Sequence, residues 1–305
     1  MPLGFGKAIF TKAAAAAEEE AGAGGQGFTT GAQGADEEGD VSQPNFAHVR
    51  IQPNAGGTDM SDTTDISIVT WFRGLAGDMN GGSYGMLWQG VAGDMASGGA
   101  RNIEIYIARD GDYKFNAFYK TDNGTRTTSK DYTDAGTLDA ALLDGEWHCI
   151  MLRLSTTGAN CEFVLDGTNQ SSSHPSDVVG NIEISAADFE WNMSNFSGAF
   201  PGAGAAWDIG PTWMYDTAID FTSSSVRAKY FNASNTDGYV DGGTDGTDGG
   251  ATQPDLYLYD AGVAVLDGGT ATPTITDVES GTASVTHNAS TNGPGSGDTR
   301  TGANP

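Results

Sequence analysis

Apolar side chains recur at every second position in short runs along this chain, and turn-forming residues separate the runs. In residues 64–75, "TDISIVTWFRGL", one face of a strand carries Ile66, Ile68, Thr70 and Phe72. This period of two is that of a β-strand with one buried face. Similar runs fill residues 45–233, with one short helical pattern near the end, and this spacing is typical of an antiparallel sandwich or barrel.

The segment 144–167, "DGEWHCIMLRLSTTGANCEFVLDG", reads as a hairpin whose strands are apolar on both faces. One face carries Ile150, Leu152 and Leu154, and the other carries Trp147, Cys149 and Met151. An inner face packs against the second sheet, but a second apolar face needs a cover of its own. We therefore predict a central hairpin that another segment or another chain overlays.

The remaining elements follow from turn and capping signals. Asp110–Gly111 predicts the turn of a hairpin over 102–120, because this dipeptide readily supplies positive φ angles. A polar edge strand is predicted at 124–132, and one helix over 220–233 with Thr222 as its N-cap. Further strands are predicted within 45–53, 86–93, 181–192, 205–219 and 254–268.

Composition divides the chain into four parts. Residues 1–43 read as a Gly/Ala/acidic arm, either a flexible tether or a hook that orders on a partner. The sandwich is predicted over 44–234, a Gly/Asp/Thr-rich linker over 235–253, and a strand with a Thr/Gly-rich tail over 254–305. The tail is too poor in apolar residues to bury a core by itself.

Charge narrows the range of partners. The 305 residues include 40 acidic and 14 basic side chains, a formal net charge of −26. Nucleic acids and anionic membranes are excluded as partners on this basis, because phosphate binding needs clustered Lys and Arg. Acidity of this kind keeps a protein soluble, and the alternative is that the carboxylates collect calcium. We find no signal-peptide pattern and no apolar run of membrane-spanning length, so we expect folding in a cytoplasm.

The two cysteines are predicted to be free thiols. If the hairpin loop centres on residues 157–158, Cys161 faces Leu154 and Cys149 faces Asp166. The thiols then point to opposite faces and are out of register, which disulfide geometry does not allow.

The hairpin resembles the signature hairpin of laminin-G-like, concanavalin A-like jelly-roll domains. The matching positions are Gly145, Trp147, His148, Val164, Asp166 and Gly167. Cys149 departs from the pattern where the family often has a second histidine. Residues 207–231 resemble the family's closing strand and helix, and the likeness covers about 45–233. It implies an all-β, antiparallel jelly-roll sandwich with extended arms, a fold that hosts many functions.

The sandwich with its Gly-rich arm and trailing "PDLYL" segment is similar to virion structural proteins of tailed bacteriophages. This resemblance implies a capsid decoration or tail-associated subunit, held by its arms in a homo-oligomer and assembled in the host bacterial cytoplasm. The alternative is a carbohydrate-binding module that recognises host surface glycans.

Catalytic chemistry finds little support in the motifs. Glu104 and Glu183 stand alone, without the carboxylate triplet of jelly-roll glucanases, and a retaining glycosidase needs two carboxyl groups about 5 Å apart. We therefore expect no enzyme, no catalytic residues and no cofactor. No zinc-ligand spacing joins the histidines, which are His48, His148, His174 and His287.

Two binding chemistries stay open. A tryptophan could stack on a sugar ring, although alternating strand positions favour core or overlay roles for Trp71, Trp88, Trp147, Trp191, Trp207 and Trp213. Calcium at the sandwich rim would draw on Asp78, Asp94 and Asp122, which follow the family's habit of binding calcium there. Chance proximity is the competing explanation in so acidic a chain.

Overall fold

The computed structural model describes part of the chain. The described residues are 28–29, 49–52, 60–75, 84–92, 100–110, 112–122, 126–128, 143–170, 176–186, 189–193, 208–235, 238–243, 245–260, 263–266 and 274–277. Most of the predicted arm and tail lies outside them, as do three of the four histidines, Trp207 and two of the three candidate calcium ligands, Asp78 and Asp94.

Fifteen strands and one short helix occupy the described residues. The strands are β1 Phe28–Thr29, β2 Val49–Gln52, β3 Asp65–Leu75, β4 Tyr84–Ala92, β5 Ala100–Asp110, β6 Asp112–Lys120, β7 Arg126–Thr128, β8 Asp144–Ser155, β9 Glu162–Leu165, β10 Thr168–Asn169, β11 Phe189–Met193, β12 Asp208–Tyr215, β13 Leu256–Asp260, β14 Val263–Leu266 and β15 Thr274–Asp277. The helix α1 is Ser224–Arg227, and a 3-10 turn, Gly158–Asn160, joins β8 to β9.

The strands form two sheets. Sheet 1 has the order β10-β9-β8-β3-β12-β13-β14, with β1 also beside β12. Sheet 2 has the order β15-β2-β11-β4-β5-β6-β7. All of these strand pairs are antiparallel. The predicted all-β antiparallel sandwich is confirmed, and β7 lies at an edge of sheet 2 as predicted.

The main core lies between the sheets and collects every second residue of their strands. Ile66, Ile68 and Phe72 of β3 belong to it, as the alternation predicts. Phe115 of sheet 2 stacks on Phe163 of sheet 1 with ring centroids 4.3 Å apart. Each fully buried side chain of this size contributes about 1.5–3 kcal/mol through its removal from water.

A second apolar cluster covers the outer face of sheet 1 and explains the two-faced hairpin. Cys149 and Met151 of β8 lie in it beside Trp71 of β3. Segments that follow β12 cover them, and Phe221 and Tyr230 pack there from the stretch around α1. The hairpin is therefore central and overlaid, as predicted, and the cover comes from the same chain.

The hairpin register is also confirmed. Ile150 pairs with Leu165 and Met151 with Val164. Cys149 consequently belongs to the outer cluster and Cys161 to the main core, and both are buried and outside any disulfide.

Two element predictions need correction. The helix is a single turn with Ser223 at the N-cap, because Thr222 donates hydrogen bonds to Asp220 from both its amide and its hydroxyl. Within the described residues of 181–192, a continuous strand begins only at Phe189. The earlier stretch forms only an isolated bridge at Ile182. Beyond it, the backbone amides of residues 184 and 185 donate their hydrogen bonds to the Asp62 carboxylate instead of to a neighbouring strand.

The Gly/Asp/Thr-rich stretch after α1 packs on the outer face of sheet 1. Tyr239 contacts Trp71 edge-on at 5.5 Å between ring centroids. The Trp213 indole donates a 2.9 Å hydrogen bond to the carbonyl of Gly246. This stretch has the composition of a linker, yet it packs closely on sheet 1, because glycine lets the backbone approach large aromatic rings.

Candidate functional site

The tryptophans provide little exposed surface for a sugar ring. Trp71, Trp88, Trp191 and Trp213 are completely buried. Trp147 is half-buried at the margin of the outer cluster. Core and overlay positions therefore account for the tryptophans that the structure describes, as the alternating pattern predicts.

His148 ties the end of β8 to the turn after β9. Its Nδ1 lies 2.7 Å from Asp166 Oδ2, and its Nε2 lies 3.1 Å from Asp144 Oδ1, so both ring nitrogens have partners. The Asp166 carboxylate also accepts a 2.8 Å hydrogen bond from the Cys149 backbone amide. Positive φ angles at Asp166 and Gly167 make the tight turn that an Asp-Gly pair favours.

Opposing effects set the charge state of this histidine. Burial alone lowers the pKa of His148, but the hydrogen bonds and charges of Asp166 and then Asp144 raise it by more. The net pKa of His148 is raised above 6.5. With both ring nitrogens engaged by the protein's own carboxylates, the arrangement stabilises the hairpin end and leaves no ring nitrogen for a metal.

The calcium prediction receives little support from the described part of the chain. Asp122 is exposed there. Among the described residues, no three His, Cys, Asp or Glu side chains converge as metal ligands. The described residues likewise contain no helix long and apolar enough to cross a membrane.

A different polar surface lies on the outer face of sheet 2, along the β5–β6 hairpin. The inner face of this hairpin is apolar and belongs to the core, with Ile103, Ile105, Ile107, Phe115, Ala117 and Tyr119. The outer positions, which we call the polar hairpin face, are Asn102, Glu104, Tyr106, Asn116, Phe118 and Lys120. Glu104 pairs with Phe118, and Tyr106 with Asn116. Two amides, a carboxylate, an ammonium and two aromatic rings thus share one face.

Most of the polar hairpin face is removed from solvent. Asn102 is completely buried, Glu104 is 1% exposed and Asn116 is 8% exposed. Tyr106 and Lys120 are half-buried. Buried polar groups cost free energy unless they form hydrogen bonds, so the partners of each such group have to be identified.

A loop contact closes one end of this face. Asn102 Nδ2 donates a 2.9 Å hydrogen bond to the carbonyl of Glu183. The Glu183 carboxylate lies 3.6 Å from the Lys120 ammonium. The amide oxygen of Asn102, although buried, has no hydrogen-bond partner among the described residues. An acceptor in this condition marks a place where a donor is missing.

Residues that pair across neighbouring strands continue from Glu104 in a line across sheet 2. Gln89 of β4 pairs with Glu104, Asn192 of β11 pairs with Gln89, and Arg50 of β2 pairs with Asn192. Side-chain types that form hydrogen bonds therefore occupy four adjacent strands in one line.

Sequence reasoning treated Glu104 and Glu183 as isolated and did not single out Asn102, Asn116 or Lys120 as binding residues. The available signal was the alternation in "NIEIYI", where every second residue is an isoleucine of the core. The polar half of that pattern defines the candidate site. Contact between Asn102 and Glu183 had no sequence signal, because 81 positions separate the two residues.

No protein-family model matches this sequence, and no curated protein matches it. Several solved structures resemble parts of the fold. The native heptameric SAP-like pentraxin from Limulus polyphemus is 10% identical with a TM-score of 0.42, over 66% of this chain and 81% of that chain. The receptor binding domain of botulinum neurotoxin mosaic serotype C/D is 8% identical with a TM-score of 0.35, over 52% of this chain and 35% of that chain.

A Trypanosoma rangeli sialidase in complex with sialic acid is 12% identical with a TM-score of 0.34, over 52% of this chain and 22% of that chain. The chain thus spans well under half the length of the neurotoxin domain and the sialidase. With TM-scores below 0.5, these partial likenesses carry no argument about this chain.

Proposed function

We propose that this chain is a non-enzymatic carbohydrate-binding module and that the polar hairpin face is its site. The observation that carries the proposal is the concentration of two asparagines, a glutamate, a lysine and two aromatic rings on one face of the β5–β6 hairpin. The outer face of sheet 1 is covered by the chain itself. On the outer face of sheet 2, Tyr106 and Lys120 are the partly exposed members of the polar hairpin face.

Sugar recognition suits these residue types. A hydroxyl group both donates and accepts a hydrogen bond, and an asparagine amide offers both functions in one plane. An aromatic ring adds an apolar surface with a polar edge, as Tyr106 does here. Ligand sites generally combine apolar walls with a few fixed polar groups, which is the composition of this face.

A glycan array with the full chain tests the proposal. We expect saturable binding to at least one glycan, and about tenfold weaker binding after Lys120→Ala, because a hydrogen bond from a charged donor is worth about one factor of ten or more. Lys229→Ala is the matched control, since it removes the same charge beside α1, on the sheet 1 side. A flat array, or equal losses in the two variants, would contradict the proposal.

We also propose, as a second candidate, a structural subunit of a tailed-phage particle, made in the bacterial cytoplasm and held by its arms. The observation that favours it is that strands near both ends join the sandwich: β1 pairs with β12, and β15 pairs with β2. β15 lies at an edge of sheet 2, and pairing at an edge also serves exchange between copies of a homo-oligomer. Deletion of residues 1–43 should abolish incorporation into particles and leave the sandwich folded. Normal incorporation of the shortened chain would refute this role.

A further inference from the structure

We infer that the edge of β12 opposite β3 is a docking site for the β1 strand of a second copy of this chain, so that copies exchange their arms by strand pairing. This inference deepens the second proposed function and rests on its arm-held homo-oligomer. It is carried by the pairing of β12, by the sequence around β1 and by the length of chain between β1 and the sandwich.

One edge of β12 is filled by two different strands. β3 pairs with the other edge from Asp208 to Tyr215, apart from an irregularity between Ile209 and Thr212. On the edge opposite β3, β13 pairs with residues 212–214 alone. Asp208 and Ile209 pair there with β1. Among the described residues, β1 is therefore the strand that completes this edge, and an edge without it would be open to another strand.

The sequence around β1 indicates a segment suited to strand addition. Phe28 is the only large apolar residue within residues 11–40, which are otherwise mainly Gly, Ala and acidic. Two threonines follow it, and aromatic and β-branched residues favour strands. Phe28 and Thr29 are also the residues that pair with β12. A short strand-forming motif of this kind binds a sheet edge through main-chain hydrogen bonds.

The connection between β1 and the sandwich is long enough for exchange. Residues 30–48 join β1 to β2, and a chain of this length can span at most about 65 Å. A compact domain of the size of the sandwich has a radius of gyration of about 16 Å and is therefore about 40 Å across. The same β1 can consequently reach the β12 edge of its own chain or that of an adjacent copy.

Local concentration decides between these two partners. A tether gives β1 an effective concentration of about 1 mM at the β12 edge of its own chain. The pairing itself is short, and each hydrogen bond contributes only about 0.5–1.5 kcal/mol net, so it is weak enough to exchange. Copies that are packed side by side offer the same backbone groups at comparable concentration, and exchange of an identical element then links them at little cost.

Paired cysteine substitutions in the full chain test the exchange. Thr29 pairs with Asp208, and opposed residues of antiparallel strands lie within disulfide distance. Thr29→Cys and Asp208→Cys are purified separately, mixed at about 1 mM and oxidised mildly. Added salt is needed because two chains of net charge −26 repel each other. The native cysteines are buried and do not compete. Non-reducing electrophoresis and mass spectrometry should show a covalent dimer with one copy of each variant.

Ser234→Cys is the matched control for Asp208→Cys, because Ser234 is exposed and lies outside β12. The dimer with Thr29→Cys should form about tenfold faster with Asp208→Cys than with Ser234→Cys, since docking raises the local concentration of the two thiols. Phe28→Cys with Ile209→Cys is the adjacent register pair and replaces the first pair if Asp208→Cys fails to fold, which thermal unfolding detects.

A third acceptor distinguishes exchange from pairing within one chain. It carries Asp208→Cys and lacks residues 1–30, so it has no β1 of its own. A dimer that forms only with this shortened acceptor would overturn the inference, because β1 then stays on its own chain. Absence of any dimer, or equal rates with Asp208→Cys and Ser234→Cys, would overturn it as well.

Failure of the exchange and failure of the second proposed function are distinguishable. Any of the three contrary results leaves the arm-held subunit in place if the chain without residues 1–43 still fails to enter particles. Normal incorporation of that chain refutes the subunit role, whereas fast dimer formation between Thr29→Cys and full-length Asp208→Cys would still establish the strand exchange.

Discussion

The close packing of the glycine-rich stretch on Trp213 can be tested with three alanine substitutions. A methyl group at Gly246 would lie 2.8 Å from Pro254 Cγ and 3.0 Å from Trp213 Nε1, and the φ angle there is +86°. At Gly250 the φ angle is +74°, but no atom lies within 4 Å. Gly250→Ala therefore introduces backbone strain alone, whereas Gly246→Ala introduces strain and a collision.

The third position separates the two effects further. At Gly242 a methyl group would lie 2.6 Å from Trp213 Cζ2 and 2.7 Å from the Tyr257 hydroxyl oxygen. The φ angle of Gly242 is outside the left-handed range, so collision without strain is expected there. Trp213 and Tyr257 are completely buried and cannot turn into solvent.

The expected magnitudes follow from these geometries. Left-handed backbone costs a non-glycine residue about 1–2 kcal/mol, and overpacking a filled site costs about 1–3 kcal/mol. We expect losses in the free energy of unfolding of about 1 kcal/mol for Gly250→Ala and about 2–4 kcal/mol for Gly246→Ala. Gly242→Ala should lose about 1–3 kcal/mol, reduced slightly because alanine restricts the unfolded chain.

Urea unfolding followed by tryptophan fluorescence provides the measurement, with the m-value checked for constancy across the variants. The buried Trp213 makes the signal sensitive to this part of the molecule. The packing argument would be refuted if Gly246→Ala and Gly250→Ala lost the same free energy of unfolding to within about 0.5 kcal/mol. A difference that small is usual for surface substitutions without a packing effect.

Three further predictions concern charged groups and thiols. The pKa of His148 is raised in the folded chain, so its contribution to stability is complete below pH 6.5 and is lost as pH rises through the folded-state pKa. Thermal melts at a series of pH values should show this loss of stability in the native chain and not in His148→Gln. Burial alone raises the pKa of Asp65, but hydrogen bonds led by that from Arg153 lower it overall, so Asp65→Asn should cost about 2 kcal/mol at pH 7 in urea unfolding, and a neutral result would count against a structural ion pair. Both cysteines are buried, so a thiol reagent should react with neither in the native chain and with two per chain in denaturant; only a disulfide would leave the denatured chain unreactive.

Local pattern was sufficient for much of the fold. Alternation in β3 identified the core face through Ile66 and Ile68, and the hairpin register placed Cys149 and Cys161 on opposite faces. These predictions succeed because side chains alternate strictly along a strand, so burial of one face sets the whole register. The helix prediction was wrong in extent, because Thr222 bonds to its neighbour Asp220 rather than capping a longer helix.

The sequence by itself determined that the central hairpin needs two covers, since apolar residues on both faces of a strand cannot both face water. Only the tertiary structure decided what the second cover is. It is formed by the chain's own segments after β12, namely the stretch around α1 with Phe221 and Tyr230 and, beside it, the glycine-rich stretch that packs on Trp213. Composition alone cannot distinguish the glycine-rich stretch from a linker. Tertiary contact likewise brought Asn102 to Glu183, because groups far apart in the chain meet only when the strands between them have folded.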